Sequence, residues 1–156
     1  MLPLCYTWFT KGKGKQFQIP TRWGSQGRIN LIGSYSLFGD DEHLEYRELE
    51  KSCKKANVLS YLETLFVAKK PDALMVVVLD NATFHKSAEI QEKRPSWEAG
   101  GMFLRFLPAY CPELNMIETI WRLVKGFLMP RRCYNSLDEL REALLVALKA
   151  VGGVKI

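Results

Sequence analysis

The sequence lacks the features of a membrane or secreted protein. No apolar run approaches the roughly 20 residues that a bilayer-spanning helix needs, so we expect no membrane segment. The first five residues carry no basic side chain, and Lys11, Lys13 and Lys15 follow soon after, which excludes a typical signal peptide. The 4 cysteines include no Cys-x-x-Cys pair, which argues against a zinc ribbon and is typical of reduced thiols in a cytosolic protein.

Repeats, low-complexity tracts and interdomain linkers are also missing. The 156 residues therefore predict a single domain spanning 1–156, and the apolar content of 47% is enough for a hydrophobic core.

Acidic residues are missing from the start of the chain, since none precedes Asp40, and the net charge is +5. This balance permits a polyanionic partner. The candidate DNA-binding cations are Lys11, Lys13 and Lys15 near the start, with Arg122 and Lys125 near the end. Each group alone fits a solvated surface better than a binding site. Together with aromatic residues such as Trp8 and Tyr110, they support contacts to a phosphate backbone.

Hydrophobic periodicity predicts an α/β chain with a mixed sheet. The predicted strands are 5–9, 28–38, 43–49, 74–79 and 102–107. The predicted helices are 57–69, 115–130 and a last one that opens at the capping box Ser136-x-x-Glu139 and ends at Gly152, while 86–100 is either helix or loop. The continuous apolar run 74–79 is typical of a strand buried on both faces.

Two carboxylates follow the two apolar strands. Asp80 comes directly after 74–79, and Glu118 opens the helix that comes after 102–107. Open α/β sheets place their ligand sites at the carboxyl ends of strands, so neighbouring strands would bring these loops together. Mg²⁺ prefers carboxylate oxygens and retains several waters. The pattern therefore indicates a metal site with two of its ligands identified.

Both carboxylates also have a structural interpretation. Asp80 and Asn81 are common turn and cap residues. Asn115-x-x-Glu118 fits a capping box, in which Glu118 would only bond the helix start. On its helix, however, Glu118 shares a polar face with Arg122 opposite the apolar stripe, so its side chain can point outward. The residues by themselves leave both interpretations open.

Two long segments carry a family resemblance. DNATFHKS at 80–87 and LPAYCPELNMIETIWRLVK at 107–125 resemble the DDE transposases of the Tc/mariner superfamily, in particular the bacterial insertion-sequence branch. Segments 8–12 and 27–33 resemble the early hairpin of that family, so the resemblance covers most of the chain. Cys111 stands where the family usually has serine, and Met116 where it usually has proline. Neither change removes a metal ligand.

The resemblance implies an RNase H-like fold, a mixed sheet flanked by helices, that presents an Asp-Asp-Glu triad to Mg²⁺ or Mn²⁺. Asp80 matches the second acid and Glu118 the third, as catalytic and metal-binding residues, and the supporting residues are Asn81, His85 and Asn115. For His85, orienting the site, contacting DNA and a purely structural role all remain open. The implied partners are transposon-end and target DNA, with a second copy or an N-terminal transposase half, in a cytoplasmic, DNA-associated protein.

The first acid of the triad is missing from the matching segments. In the family it lies on a strand ahead of the hairpin, which here begins at Trp8. We therefore expect an N-terminal truncation that removes the first central strand and weakens DNA cleavage and strand transfer. Asp40, Asp41 and Glu42 follow Gly39 in a predicted hairpin turn, and a solvated turn explains them better than a third ligand. The alternative functions are a catalytically inactive DNA-binding or interaction module derived from a transposase, or an unfolded remnant.

Overall fold

The computed structural model describes residues 28–37, 42–108, 111–129 and 134–156. The strands are β1 (Asn30–Ser36), β2 (His43–Leu49), β3 (Met75–Leu79), β4 (Met102–Phe106) and β5 (Gly153–Lys155). The helices are α1 (Lys55–Ala68), α2 (Ala88–Ala99), α3 (Met116–Leu123) and α4 (Leu137–Ala150). Short 3-10 turns cover Thr83–Lys86 and Pro112–Leu114, and a π-helical segment, Val124–Leu128, continues α3. Every predicted strand and helix within the described ranges is present, and the predicted strand 5–9 lies outside them.

The five strands form two sheets. β1 pairs antiparallel with β2, which pairs parallel with β5 on its other edge. β3 and β4 form a separate parallel pair. The sequence predicts one mixed sheet, but within the described ranges no strand hydrogen-bonds the two sheets together. Mixed pairing is therefore confined to the three-stranded sheet.

The third strand of that sheet, β5, was not predicted from the sequence. After α4 the chain turns at Gly152, whose φ of +70° is accessible to glycine without strain. The chain then runs beside β2, and the Ile156 N–H donates to the Tyr46 carbonyl at 3.0 Å.

Two hydrophobic cores hold these elements. The first packs α1 and α2 against β3 and β4, with Leu62, Ile90, Trp97, Met102 and Leu104 almost fully buried. The second packs β2, the π-helical segment and α4, around Leu44, Val124 and Leu148. Ile32 of β1 also packs against the first core, so the three-stranded sheet contacts it.

β3 is buried on one face only, which corrects the prediction of a strand covered on both faces. Met75, Val77 and Leu79 pack against the first core. Val76 and Val78 remain 58% and 53% exposed, because α1 and α2 lie on the opposite face and no other described element covers these valines. An uninterrupted apolar run therefore does not distinguish one-sided from two-sided burial here.

α3 packs across β1 through a close contact. A Cβ at Gly33 would lie 2.7 Å from the Glu45 carbonyl oxygen and 3.2 Å from the Trp121 ring. Glycine at position 33 therefore lets the Trp121 indole lie directly on the strand. The predicted apolar stripe of this helix, including Ile117, Ile120 and Trp121, packs into the second core as expected. The helix becomes π-helical from Val124, which the periodicity did not predict.

The last helix, α4, begins as predicted. The Ser136 Oγ accepts a hydrogen bond from the Glu139 N–H at 3.1 Å. The Glu139 carboxylate accepts from the Asn135 N–H at 2.8 Å, one residue before the position that a capping box uses. Arg141 then joins α4 to β2, with its Nη2 at 2.9 Å from the Glu48 Oε1.

Tyr61 is a buried polar link between α1 and the three-stranded sheet. Its hydroxyl donates to the Glu45 carbonyl at 3.1 Å and shares a 3.0 Å hydrogen bond with the Ser34 Oγ. Burial raises the pKa of Tyr61 from 10.0 to about 12, because the phenolate is poorly solvated there. The folded state therefore favours the neutral hydroxyl, and this contribution to stability is complete below pH 10 and is lost as pH rises through about 12.

Replacing Tyr61 by phenylalanine is expected to lower the free energy of unfolding by about 2 kcal/mol at neutral pH, since two hydrogen bonds of about 1 kcal/mol each are lost. It should also make the decline of stability between pH 10 and 12 shallower. Urea unfolding of both proteins across pH 7 to 12 measures the two effects. Parallel curves for the parent and the variant would contradict the assignment.

Candidate active site

The site is built on the paired ends of β3 and β4. Leu79 is in register with Phe106, and the Leu107 N–H donates to the Leu79 carbonyl at 2.9 Å. The two strands are therefore neighbours, which is the arrangement that the sequence analysis required for their loops to meet. Because they are parallel, Asp80 and the segment leading to Glu118 leave the sheet at the same edge.

Asp80 uses one of its two carboxylate oxygens within the fold. Its Oδ1 accepts from the Ala82 N–H at 2.9 Å and lies 2.8 Å from the His85 Nδ1. The side chain is 48% exposed, and the Oδ2 has no partner among the described residues. Asp80 is therefore a turn residue, as the structural interpretation predicted, and still leaves one oxygen available to a metal ion.

His85 lies beside Asp80 because the 3-10 turn brings it back to the end of the strand. Its backbone N–H donates to the Ala82 carbonyl at 3.0 Å. Its side chain is 15% exposed, and its ring packs edge-on against the Phe84 ring, with 4.6 Å between the ring centroids. The Nδ1 also lies 3.3 Å from the Asp80 carbonyl oxygen. The His85 ring is therefore fixed beside Asp80.

Asn81 joins the two strand ends. Its Nδ2 donates to the Leu107 carbonyl at 2.5 Å, and its Oδ1 accepts from the Lys86 Nζ at 2.6 Å. Lys86 also lies over the Phe106 ring, 5.2 Å from its centroid. Sequence reasoning missed Lys86. The available signal was its spacing, five residues after Asn81, which repeats the spacing of Asp80 and His85.

Glu118 is exposed in the first turn of α3, and its carboxylate makes no hydrogen bond or ion pair with any described residue. Its N–H donates to the Asn115 carbonyl at 3.0 Å. The Asn115 side chain makes no capping hydrogen bond, so the alternative that Glu118 belongs to a capping box is wrong. Within the described ranges, its carboxylate is therefore unoccupied.

Two of the predicted DNA-binding cations lie near Glu118 in the chain. Arg122 and Lys125 are both exposed, and the Arg122 Nη2 donates to the Thr119 Oγ1 at 3.2 Å. The predicted polar face of this helix is thus exposed. Lys11, Lys13 and Lys15 lie outside the described residues.

A third acidic ligand is not found in the described part of the chain, where no three His, Cys, Asp or Glu side chains form a group that could hold a metal ion. Glu42 accepts a hydrogen bond from the Tyr35 hydroxyl at 3.2 Å, and Asp40 and Asp41 fall outside the described ranges. Asp80 and Glu118 carry oxygen atoms of the type that Mg²⁺ takes as ligands, and this ion binds few protein groups and keeps several waters. None of the described helices is both long and apolar enough to cross a membrane.

Comparison with known proteins gives one result that bears on this site. No curated protein matches the chain. A family model described as DDE superfamily endonuclease matches residues 3–141, a range that includes Asp80 and Glu118. This family implies DNA binding and the use of divalent metal ions. The chain therefore belongs to the family of DDE superfamily endonucleases.

Proposed function

We propose that residues 1–156 are the catalytic domain of a Tc/mariner-type transposase, of the bacterial insertion-sequence branch, which cleaves DNA and transfers strands with Mg²⁺ or Mn²⁺. The observation that carries the proposal is that the Asp80 Oδ2 and the Glu118 carboxylate, beyond two paired parallel strands, have no partner among the residues that the structure describes. An RNase H-like arrangement is part of the proposal. It is supported by the antiparallel β1–β2 pair and by the β3–β4 pair with α1 and α2 on one face.

Each residue has a role that its contacts support. Asp80 and Glu118 would hold the metal ion through hard oxygen atoms. His85 and the Ala82 N–H occupy the Asp80 Oδ1, so the carboxylate presents its Oδ2. When bound, a divalent ion activates a water or hydroxyl and stabilises the leaving oxygen in phosphodiester chemistry. Arg122 and Lys125 are exposed where they can contact phosphates, and DNA association in the cytoplasm is part of the proposal.

Nicking of supercoiled plasmid DNA by the purified chain tests this function. We expect slow nicking that requires Mg²⁺ or Mn²⁺ and that Asp80→Asn or Glu118→Gln abolishes. Glu113→Gln is the matched control, since Glu113 is an exposed carboxylate on the same connection and is assigned no role. Nicking that persists in both site variants would overturn the proposal.

A second candidate is an inactive DNA-binding module, favoured by the lack of a third acidic group within the described ranges. It predicts salt-sensitive DNA binding that the double variant Asp80→Asn/Glu118→Gln retains, with no nicking by the parent in either metal. Nicking by the parent excludes this candidate.

A further inference from the structure

The turn after β3 contains two side-chain pairs of the same spacing, and the function proposed above uses one of them. Asp80 pairs with His85, and Asn81 pairs with Lys86. Both pairs form because the 3-10 turn Thr83–Lys86 reverses the chain toward the end of the strand. The second pair is the one that reaches β4, through the bond from the Asn81 Nδ2 to the Leu107 carbonyl.

Lys86 determines how the Asn81 amide is oriented. An ammonium group only donates hydrogen bonds, so the side-chain oxygen of Asn81 must face it and the NH₂ group must face the other way. The NH₂ group then donates to the Leu107 carbonyl. The bond from the Lys86 ammonium to the Asn81 oxygen is charge-assisted and therefore stronger than a bond between neutral groups. Contact with the Phe106 ring holds the Lys86 ammonium against the last residue of β4.

Leu107 is thereby held at both of its backbone polar groups. Its N–H donates to Leu79, and its carbonyl accepts from Asn81. Leu107 is also where the chain leaves β4 toward the helix that carries Glu118. The start of that connection is therefore fixed relative to the residue next to Asp80.

We propose that Asn81 and Lys86 are a positioning pair that sets where the Glu118-bearing connection starts relative to Asp80, and so the fit of both carboxylates to one metal ion. This inference rests on the proposed function, in which Asp80 and Glu118 bind that ion. The competing role for Lys86, an exposed cation, is a phosphate contact.

Metal affinity measured without DNA distinguishes the two roles of Lys86, because they predict changes in opposite directions. Removing a positive charge near a cation site strengthens cation binding by Coulomb's law. Loss of a phosphate contact leaves the metal affinity unchanged or raised, whereas loss of positioning lowers it. Residues that hold metal ligands in place typically change affinity by about 10- to 100-fold when they are replaced.

The test is a Mn²⁺ titration of the full chain, with electron paramagnetic resonance as the readout of free and bound Mn²⁺. Asn81→Leu and Lys86→Met are each expected to weaken binding by about tenfold. Lys86→Arg should retain affinity within about twofold, because the guanidinium also donates and stacks on aromatic rings. Lys93→Met is the charge-matched control, since Lys93 pairs with Glu63 on α1, away from the strand ends. Unchanged or tighter binding by Lys86→Met would overturn the proposal.

Amide hydrogen exchange provides a second measurement that needs no metal. Asn81→Leu is expected to speed exchange about tenfold at Leu107 and Leu114, and to leave Leu65 in α1 unchanged. Unchanged exchange at Leu107 and Leu114 would show that Asn81 does not position this connection. If Asp80→Asn leaves Mn²⁺ binding intact, the proposed function fails, and the exchange rates still decide whether the positioning pair exists.

Discussion

Mn²⁺ binding is expected to fall by more than about 100-fold when Asp80 is replaced by asparagine, which is beyond the effect of most residues that only support a ligand. The substitution keeps the shape of the side chain and removes its charge. An amide can still accept from the Ala82 N–H and the His85 Nδ1 through its oxygen, so the turn should survive. The lost affinity would then report the missing carboxylate, and a Mn²⁺ titration measures it.

His85 variants provide a graded control for this prediction. The His85 Nδ1 is the ring atom that lies near the Asp80 Oδ1. The amide nitrogen of an asparagine at position 85 would lie close to the position of Nδ1. The amide nitrogen of a glutamine would lie close to the position of Nε2 instead. His85→Ala and His85→Gln should therefore weaken Mn²⁺ binding by about tenfold, and His85→Asn should restore most of it. A Mn²⁺ affinity equal to that of the parent in all three variants would show that His85 does not orient Asp80.

Replacing Trp97 by alanine is expected to lower the free energy of unfolding by about 3–5 kcal/mol, the cost typical of a large buried side chain. Trp97 is 1% exposed and belongs to the first core with Leu62 and Leu104. The cavity would lie where α2 meets the sheet. Because α2 directly follows the Asp80–His85 turn, we also expect the site to lose order as the core weakens.

Urea unfolding of the full chain measures this loss. Phe127→Ala is the control, because Phe127 is an aromatic residue that is 77% exposed and should change stability by less than about 0.5 kcal/mol. Trp97→Phe keeps most of the buried volume and should fall between the two. Equal losses for Trp97→Ala and Phe127→Ala would contradict the core assignment.

The positions of the strands and helices were predictable because they depend on local patterns. Val58, Tyr61, Leu62 and Leu65 recur with the helical period and are all buried on α1. Glycines and prolines marked several of the breaks. The same periodicity did not predict β5, a strand of three residues that forms only because it pairs with β2. It also could not show that Val76 and Val78 lie on a face that no described element covers.

The sequence likewise indicated some features of the candidate site and not others. Asp80 and Glu118 were proposed from their positions after two apolar strands, and the parallel pairing that would bring their loops together is present in the structure. The sequence did not decide between a capping box and an unbonded carboxylate at Glu118, because that choice depends on how the Asn115 side chain is oriented. Lys86 was overlooked because a lysine in a turn is usually a solvated residue.

The sequence by itself singled out Asp80 and Glu118 as candidate site residues, from their positions after apolar strands and from the segments that resemble a known family. Only the tertiary structure decided how the elements that carry them are joined. Asn81 bonds to Leu107, 26 residues away, and Arg141 to Glu48, 93 residues away. These bonds join the ends of β3 and β4, and α4 to β2, which lie far apart in the chain. Asp80 itself is held by Ala82 and His85 of its own turn, whereas the link from that turn to β4 is a consequence of packing, which no short stretch of sequence encodes.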